Sequence, residues 1–269
     1  MAKFERSGKM KLGTIGCGNM AKAILGGIIG KGLICPEDII AADLYVPGLE
    51  AARKSLGINV TTDNKEAAKA DVVVIAIKSE YYKSVIEEIK DVVSEDTIFW
   101  TMAPGITFAD IENFFGRKIK AVRTMPNTPA MVGAGVTAVT PNEQVTEEEA
   151  KYICELIGGF GTAEKIPECL MDATIPVSGS SPAMAFMFIE AMADGAVREG
   201  FSREQAYRLC AQTVLGSARM VLETGKHPGE LKDMVCTPGG ITIELVKKLE
   251  QFGFRNAVME GMEVCTKCI

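Results

Sequence analysis

Through its first half the chain alternates short apolar runs with stretches in which apolar residues recur every three or four positions. The runs at residues 10–15, 39–42, 72–77, 98–102, 119–123 and 135–140 read as strands, being short and rich in apolar, often β-branched side chains. Between them, residues 49–55, 81–89 and 108–115 carry helical spacing. A helix over 147–158 and a short strand near 163–166 complete this half. Such alternation with short connections predicts a largely parallel, doubly wound sheet. From about Glu168 the periodicity turns helical, with helices predicted at 182–199, 203–223, 228–234, 241–251 and 256–267. Gly200-Phe201-Ser202 and Thr224-Gly225-Lys226-His227-Pro228 supply the breaker and cap chemistry expected between them.

The first strand runs directly into Gly16-Cys17-Gly18-Asn19-Met20-Ala21, followed by the helical stripe Ile24, Leu25, Ile28 and Ile29. This is the G-x-G-x-x-A form of the dinucleotide fingerprint in its strand–turn–helix context. Gly16 permits the tight turn, Gly18 lets a pyrophosphate approach the backbone, and Ala21 allows close packing of helix on strand. The expected architecture is therefore α/β: an N-terminal Rossmann-type doubly wound domain over residues 1–166, then an all-helical C-terminal domain over 167–269.

A second glycine turn, Thr237-Pro238-Gly239-Gly240-Ile241-Thr242, runs into an apolar helix spaced Ile241, Leu245, Val246 and Leu249. Such a turn points backbone N–H groups at the helix N-terminus, where an anion is favoured. Thr237 and Thr242 flank it with hydroxyls, so the local chemistry points to a carboxylate pocket with an adjacent proton donor. A plain helix cap with flexible glycines is the simpler alternative for an isolated PGG. Three further strand ends carry candidate chemistry: Lys78 after residues 72–77, the small residues Ala103-Pro104-Gly105 after Met102, and the doubly proline-stiffened Arg123-Thr124-Met125-Pro126-Asn127-Thr128-Pro129.

Composition narrows the classes. A net charge of −6 and a pI near 5.1 provide no basic footprint, which argues against nucleic acid as a partner. Residues 1–9 are polar, and the apolar stretch 183–197 is short and carries Glu190 and Asp194, so neither a secretory signal nor a membrane span is expected. A cytoplasmic protein is the expectation. The eight cysteines are scattered through helical and turn patterns and read as reduced thiols. Cys265 and Cys268 form one C-x-x-C, but there is no second pair and the single histidine, His227, is distant, so no metal site is expected. Glu190 and Asp194 lie four apart on one helix face and need cations or solvent. His227 reads as a helix cap or surface group.

The segments GCGNMAKAILGG, RTMPNTPAMVGAG, VSGSSPAMAFMFIEAMADG and LKDMVCTPGGITIELVKKLEQFGFRNAVMEG together carry a resemblance. From Met10 to Lys267 the chain resembles the pyrroline-5-carboxylate reductases, which make proline in the last step of its biosynthesis. The resemblance implies NADPH or NADH as cofactor and L-1-pyrroline-5-carboxylate as substrate. It implies that Thr237, Gly239, Gly240, Ile241 and Thr242 hold the substrate, with backbone N–H groups around its carboxylate. Thr242 would hydrogen-bond the ring nitrogen and assist its protonation. Gly16, Cys17, Gly18, Asn19, Met20 and Ala21 would meet the pyrophosphate, and Asn64 the adenosine side. Ala76, Ile77, Lys78 and the following Ser79 would line the ribose region, with Met102, Ala103 and Pro104 beside the nicotinamide half. It further implies a homodimer or higher homo-oligomer built through the C-terminal helices. The all-round apolar helix containing Met184, Phe186, Met187, Phe188, Ile189 and Met192 fits that expectation.

Two positions depart from the family pattern. Ser79 stands where proline usually follows the strand-end lysine. Asp43 ends the second strand, where an acidic side chain hydrogen-bonds a ribose 2′-hydroxyl and repels a 2′-phosphate; NADH is therefore expected to serve at least as well as NADPH. Three alternatives remain at this level: a β-hydroxyacid dehydrogenase with Lys232 as acid, a reductase of another cyclic imine, and a cofactor-sensing regulator without turnover.

Overall fold

The computed structural model describes residues 10–267. Met1–Lys9 and Cys268, one half of the terminal C-x-x-C, lie outside the described residues. After Gly179 the chain divides into two compact units.

The first unit is built on an eight-stranded sheet of order β3-β2-β1-β4-β5-β6-β7-β8. Its strands are β1 (Leu12–Ile15), β2 (Ile39–Ala42), β3 (Asn59–Thr61), β4 (Val72–Ile75), β5 (Ile98–Thr101), β6 (Lys120–Met125), β7 (Gly135–Pro141) and β8 (Gly161–Lys165). Strands β1 to β6 are mutually parallel; β7 reverses against β6, and β8 runs parallel to β7. Because β1 sits between β2 and β4, the strand order reverses there, and the crevice beyond its C-terminal end is the expected ligand edge.

Side chains alternate across a strand, and the core divides accordingly. Leu12, Val72, Val74, Ile98, Trp100 and Val122 are buried on one face. They lie under α1 (Asn19–Gly30), α2 (Val46–Leu56) and α6 (Glu147–Ile157), through Ile24, Leu25, Leu49, Ile153 and Leu156. Ile15, Val73, Ile75, Phe99 and Ala121 are buried on the other. These are covered by α3 (Asn64–Ala67), α4 (Tyr82–Ile89) and α5 (Phe108–Phe115), through Ala67, Ile86, Ile89 and Ile111. The sheet is thus doubly wound, as the periodicity predicts. Two short elements escaped that periodicity, β3 and α3. Asn59-Val60-Thr61 has one apolar residue in three, and α3 is one turn started by the Asp63 carboxylate, which accepts from Lys65 N–H at 2.9 Å.

Residues 168–179, between the expected boundary at 166/167 and the division after Gly179, pack on the first unit. Met171 is buried with Met125 and Ala138. Arg123, itself buried, pairs with Glu168 at 3.0 Å and Asp172 at 3.4 Å. The Asn127 side-chain amide donates to Ser178 O at 3.1 Å. A 3₁₀ turn at Glu168–Leu170 and a π-helical turn at Ile175–Gly179 carry the chain through this segment. A pattern dominated by turns gives no periodicity with which to place a boundary.

The second unit consists of α7 (Ser181–Arg198), α8 (Arg203–Thr224), α9 (Pro228–Val235), α10 (Ile241–Gln251) and α11 (Phe254–Lys267). Helix α8 opens with a capping box in which Ser202 and Gln205 satisfy each other's orphan groups. Its interior is small: Ala193, Ala206 and Cys210, with Ile189, Met192, Ala196 and Val197 packed around them. No described helix is long and apolar enough to cross a membrane.

Candidate functional site

The fingerprint residues sit where β1 ends. Gly16 has φ +92, a left-handed conformation that side chains rarely adopt, and a Cβ there would lie 2.4 Å from the Ala76 carbonyl oxygen. The turn therefore lies flush against the end of β4, with Gly16 N–H donating to Ala42 O and Ala76 N–H to Ile15 O, both at 2.8 Å. Gly18 behaves differently. It is the N-cap of α1, supplies no side-chain cap, and a Cβ built on it meets nothing within 4 Å. The helix start is thus an uncapped set of N–H groups facing open space, which is what an approaching pyrophosphate requires. Ala21 is buried against the sheet, Met20 packs on the same core, and Asn19 is exposed.

Cys17 is a packing residue in this turn rather than a reactive thiol. Burial pushes its pKa up, with Lys22 opposing and Asp43 adding to the rise. Its backbone N–H donates to Asp43 Oδ2 at 2.7 Å, and Asp43 Oδ1 accepts from Tyr45 N–H at 2.9 Å. The Asn64 amide donates to Glu88 Oε2 at 2.9 Å.

After β4, Ala76, Ile77 and Lys78 follow beside the glycine turn, and Ser79 Oγ donates to Pro104 O at 2.8 Å. That bond ties the loop after β4 to the loop after β5, which contains Met102, buried Ala103 and exposed Pro104. Beneath both loops lies Tyr82, fully buried. Its hydroxyl donates to Ile75 O at 2.9 Å and accepts from Thr101 Oγ1 at 2.8 Å and Met102 N–H at 3.4 Å. Burial pushes the phenol up to about 12, against the lowering effect of the Thr101 bond. Tyr82 thus pins the ends of β4 and β5 together. Sequence pattern marks it only as an apolar helix position, so this supporting role was missed. In total, Gly16 to Ala21, Asp43, Asn64, Ala76 to Ser79 and Met102 to Pro104 follow the C-terminal ends of five consecutive parallel strands and share one edge of the sheet.

Asn127 does not present its amide to a ligand. Its Nδ2 donates to Ser178 O, and its Oδ1 accepts from Val136 N–H at 3.0 Å, so it staples the loop internally.

In the second unit the Thr237–Thr242 turn is described on its own terms. Gly239 has φ +69, and Gly240 is the N-cap of α10 without a side-chain cap. Gly240 N–H donates to Thr237 O at 3.0 Å, and a Cβ on Gly240 would lie 2.3 Å from Thr237 Oγ1. The Gly240 N–H thus closes the turn internally, and the donors without a side-chain cap are those of the first turn beginning at Ile241. Ile241 is 90% exposed and Thr242 half-buried. Among the described residues the Thr242 hydroxyl has no hydrogen-bond partner.

The remaining candidates are structural. His227 caps α9, its Nδ1 accepting from Gly229 N–H at 3.0 Å. Lys232 is hydrogen-bonded to Asp233, which raises its pKa and holds it as an ammonium. Asp194 receives its cation from Arg203 at 2.5 Å.

An uncapped glycine turn at the switch point of a doubly wound sheet defines a dinucleotide-binding protein of the Rossmann type. Comparison with known proteins makes this specific. The family described as pyrroline-5-carboxylate reductase dimerisation matches residues 168–268, and one described as NADP oxidoreductase coenzyme F420-dependent matches residues 11–104. Pyrroline-5-carboxylate reductase of Escherichia coli (strain K12) is 48% identical, covering 95% of each chain. Among solved structures, a pyrroline-5-carboxylate reductase from Coxiella burnetii is 34% identical with a TM-score of 0.89, covering 97% of each chain. The Plasmodium falciparum pyrroline carboxylate reductase, solved with NADP bound, is 31% identical with a TM-score of 0.86 and the same coverage. The chain belongs to the pyrroline-5-carboxylate reductase family.

Proposed function

We infer that the protein reduces the C=N bond of L-1-pyrroline-5-carboxylate to L-proline with NADPH or NADH, the final step of proline biosynthesis. The observation that carries this is the 48% identity along 95% of both chains, which spans the glycine turn and the Thr237–Thr242 turn alike. When bound, the reduced nicotinamide supplies the hydride. The protein's own contribution is positioning and electrostatics, since a protonated imine accepts hydride readily. The α1 N-terminus, from Gly18 onward, holds the pyrophosphate. Ser79 and Pro104, tied to each other, and Tyr82 beneath them fix the loops that flank the nicotinamide ribose. At the second turn, the first-turn N–H groups of α10 hold the substrate carboxylate. Gly239 and Gly240 keep that approach free of Cβ atoms. Thr237 shapes the turn, and the unengaged Thr242 hydroxyl hydrogen-bonds the ring nitrogen and assists its protonation as the amine forms.

The protein functions as a homo-oligomer through its C-terminal helices. Support comes from the side chains those helices leave outside: Phe186, Met187, Leu222 and Phe252 are 62, 69, 84 and 81% exposed in the single chain. A cytoplasmic location belongs to the same reading, supported by the described cysteines, all free. The test is initial-rate oxidation of NADH and NADPH with racemic 1-pyrroline-5-carboxylate, with proline identified by chromatography. Proline formation with either cofactor is expected. Cofactor binding without turnover would overturn the assignment.

A further inference from the structure

The edge of the cofactor site at the ends of β2 and β3 is predominantly anionic. Asp43 follows β2 directly, and its carboxylate is held from two sides, by Cys17 N–H at 2.7 Å and Tyr45 N–H at 2.9 Å. Charge-assisted bonds of this kind fix its orientation, because turning away from the glycine turn forfeits both. Asp43 N–H in turn donates to Thr61 O at 3.3 Å, which brings the turn after β3 alongside. On that turn the Asp63 carboxylate is spent on capping α3, and Asn64, its one side-chain amide, is held by Glu88 Oε2 at 2.9 Å. The segment Leu44-Tyr45-Val46-Pro47 carries no cation, and Lys65, between Asp63 and Glu66 in sequence, is the cation of the turn after β3.

We propose that Asp43 and Glu88 act together to select NADH over NADPH. This rests on the reductase reading for the identity of the site and deepens it by naming the cofactor. Asp43 lies where the ribose 2′-hydroxyl arrives, and a carboxylate retains acceptor sites for that hydroxyl beyond its two backbone bonds. A 2′-phosphate would instead bring a charge of about −1.5 to −2 at pH 7 against a carboxylate fixed in place. Glu88 is a positioning residue: by holding the Asn64 amide it withholds the neutral donor that could have compensated such a phosphate.

The test is titration of the intact protein with NADH and with NADPH, followed by nicotinamide fluorescence, and competition by 5′-AMP and by 2′,5′-ADP. No imine is present, so failure of this proposal is distinct from failure of the catalytic reading, which turnover decides. NADH is expected to bind at least about tenfold more tightly than NADPH, with 5′-AMP the better competitor. Asp43→Asn keeps one carbonyl oxygen for the turn and removes the charge; it should narrow the ratio by about tenfold, mainly through NADPH. Asp43→Ser should narrow it further, and Asp43→Asn carries the test if the serine variant loses the turn. Glu88→Gln should shift the ratio the same way by about twofold to threefold. Wild-type protein that binds NADPH as tightly as NADH, or a ratio unmoved in Asp43→Asn, overturns the proposal. A ratio unmoved in Glu88→Gln removes Glu88 from it.

Discussion

In the first unit the largest side chains, among them Trp100, Tyr82, Phe99 and Phe160, are fully buried within one chain, on the two faces of a covered sheet. In the second, the buried apolar set reduces to Ala193, Ala206 and Cys210, while Ile241, Leu222 and Phe252 are 90, 84 and 81% exposed. The difference follows from architecture. A sheet has two faces that helices of the same chain can cover, so its core closes on itself. Here one small-residue seam joins α7 and α8, and the helices leave apolar side chains exposed, as a surface for association does. The nucleotide unit thus closes its core within one chain, whereas the helical unit, which matches the dimerisation family, leaves apolar surface open.

Placing a charge on the exposed apolar surface gives the largest expected effect. Phe186→Asp, in the second turn of α7, should give a monomeric mass in light scattering with nearly complete loss of activity. An unpaired charge buried at an interface costs about 3–5 kcal/mol. Binding of NADH, which depends on the first unit, should survive. A wild-type protein already monomeric at micromolar concentration would break the comparison itself.

A change confined to one hydroxyl comes next. Thr242→Val keeps the shape of a half-buried position at the start of α10 and removes the donor. The expected result is a fall in kcat of about a hundredfold, the scale of a lost proton-transfer group, with unchanged cofactor affinity and oligomeric mass. A kcat within about twofold of wild type would remove Thr242 from the chemistry.

The glycines sharpen the contrast further. Gly16 in the first unit and Gly239 in the second have similar positive φ, +92 and +69, but unlike surroundings. At Gly16 a Cβ would overlap the Ala76 carbonyl, whereas at Gly239 nothing lies within 4 Å. Gly239→Ala should therefore cost only the conformational strain, about 1–2 kcal/mol. Gly16→Ala adds an overlap with backbone and should cost about 2 kcal/mol more. Urea midpoints of the two variants test this; equal losses would mean that the turn after β1 yields more easily than its packing implies.

Much of this was legible in the sequence, for reasons that can be named. Helices α5 and α10 have the bounds the pattern predicts, Phe108–Phe115 and Ile241–Gln251, because each begins at a strong local signal. For α5 that signal is the Thr107–Asp110 capping box, and for α10 the glycine turn. The strand-end candidates were found because a doubly wound sheet collects its loops along one edge. What was not legible depended on hydrogen bonds between residues far apart in sequence. That Asn127 faces inward is set by Ser178 and Val136. The Gly240 N–H is consumed by Thr237 O, a matter of turn closure that composition does not encode. The hold of Glu88 on Asn64, and of Tyr82 on the ends of β4 and β5, likewise joins helix positions to strand ends with no periodic signature.

The smallest effect tests how tightly the first unit is closed around Tyr82. Burial raises its phenol to about 12, whereas an unfolded tyrosine loses its proton near pH 10. Between those values the unfolded chain binds fewer protons than the folded one, so stability declines as pH rises. The contribution is complete below about pH 10 and lost through about pH 12, and roughly 1 kcal/mol of it is gone by about pH 11. Tyr82→Phe removes this titration while leaving the Ile75 carbonyl and the Thr101 hydroxyl without their shared partner, at a cost of about 1–2 kcal/mol near neutrality. Tyr152, whose pKa burial also raises to about 12, remains in both proteins. The variant should therefore start lower and fall less steeply with alkali, so that the two urea-midpoint curves converge between about pH 10 and 12. Curves that stay parallel would mean that water reaches Tyr82 in the folded protein, and that the ends of β4 and β5 are held by something other than a dry phenol.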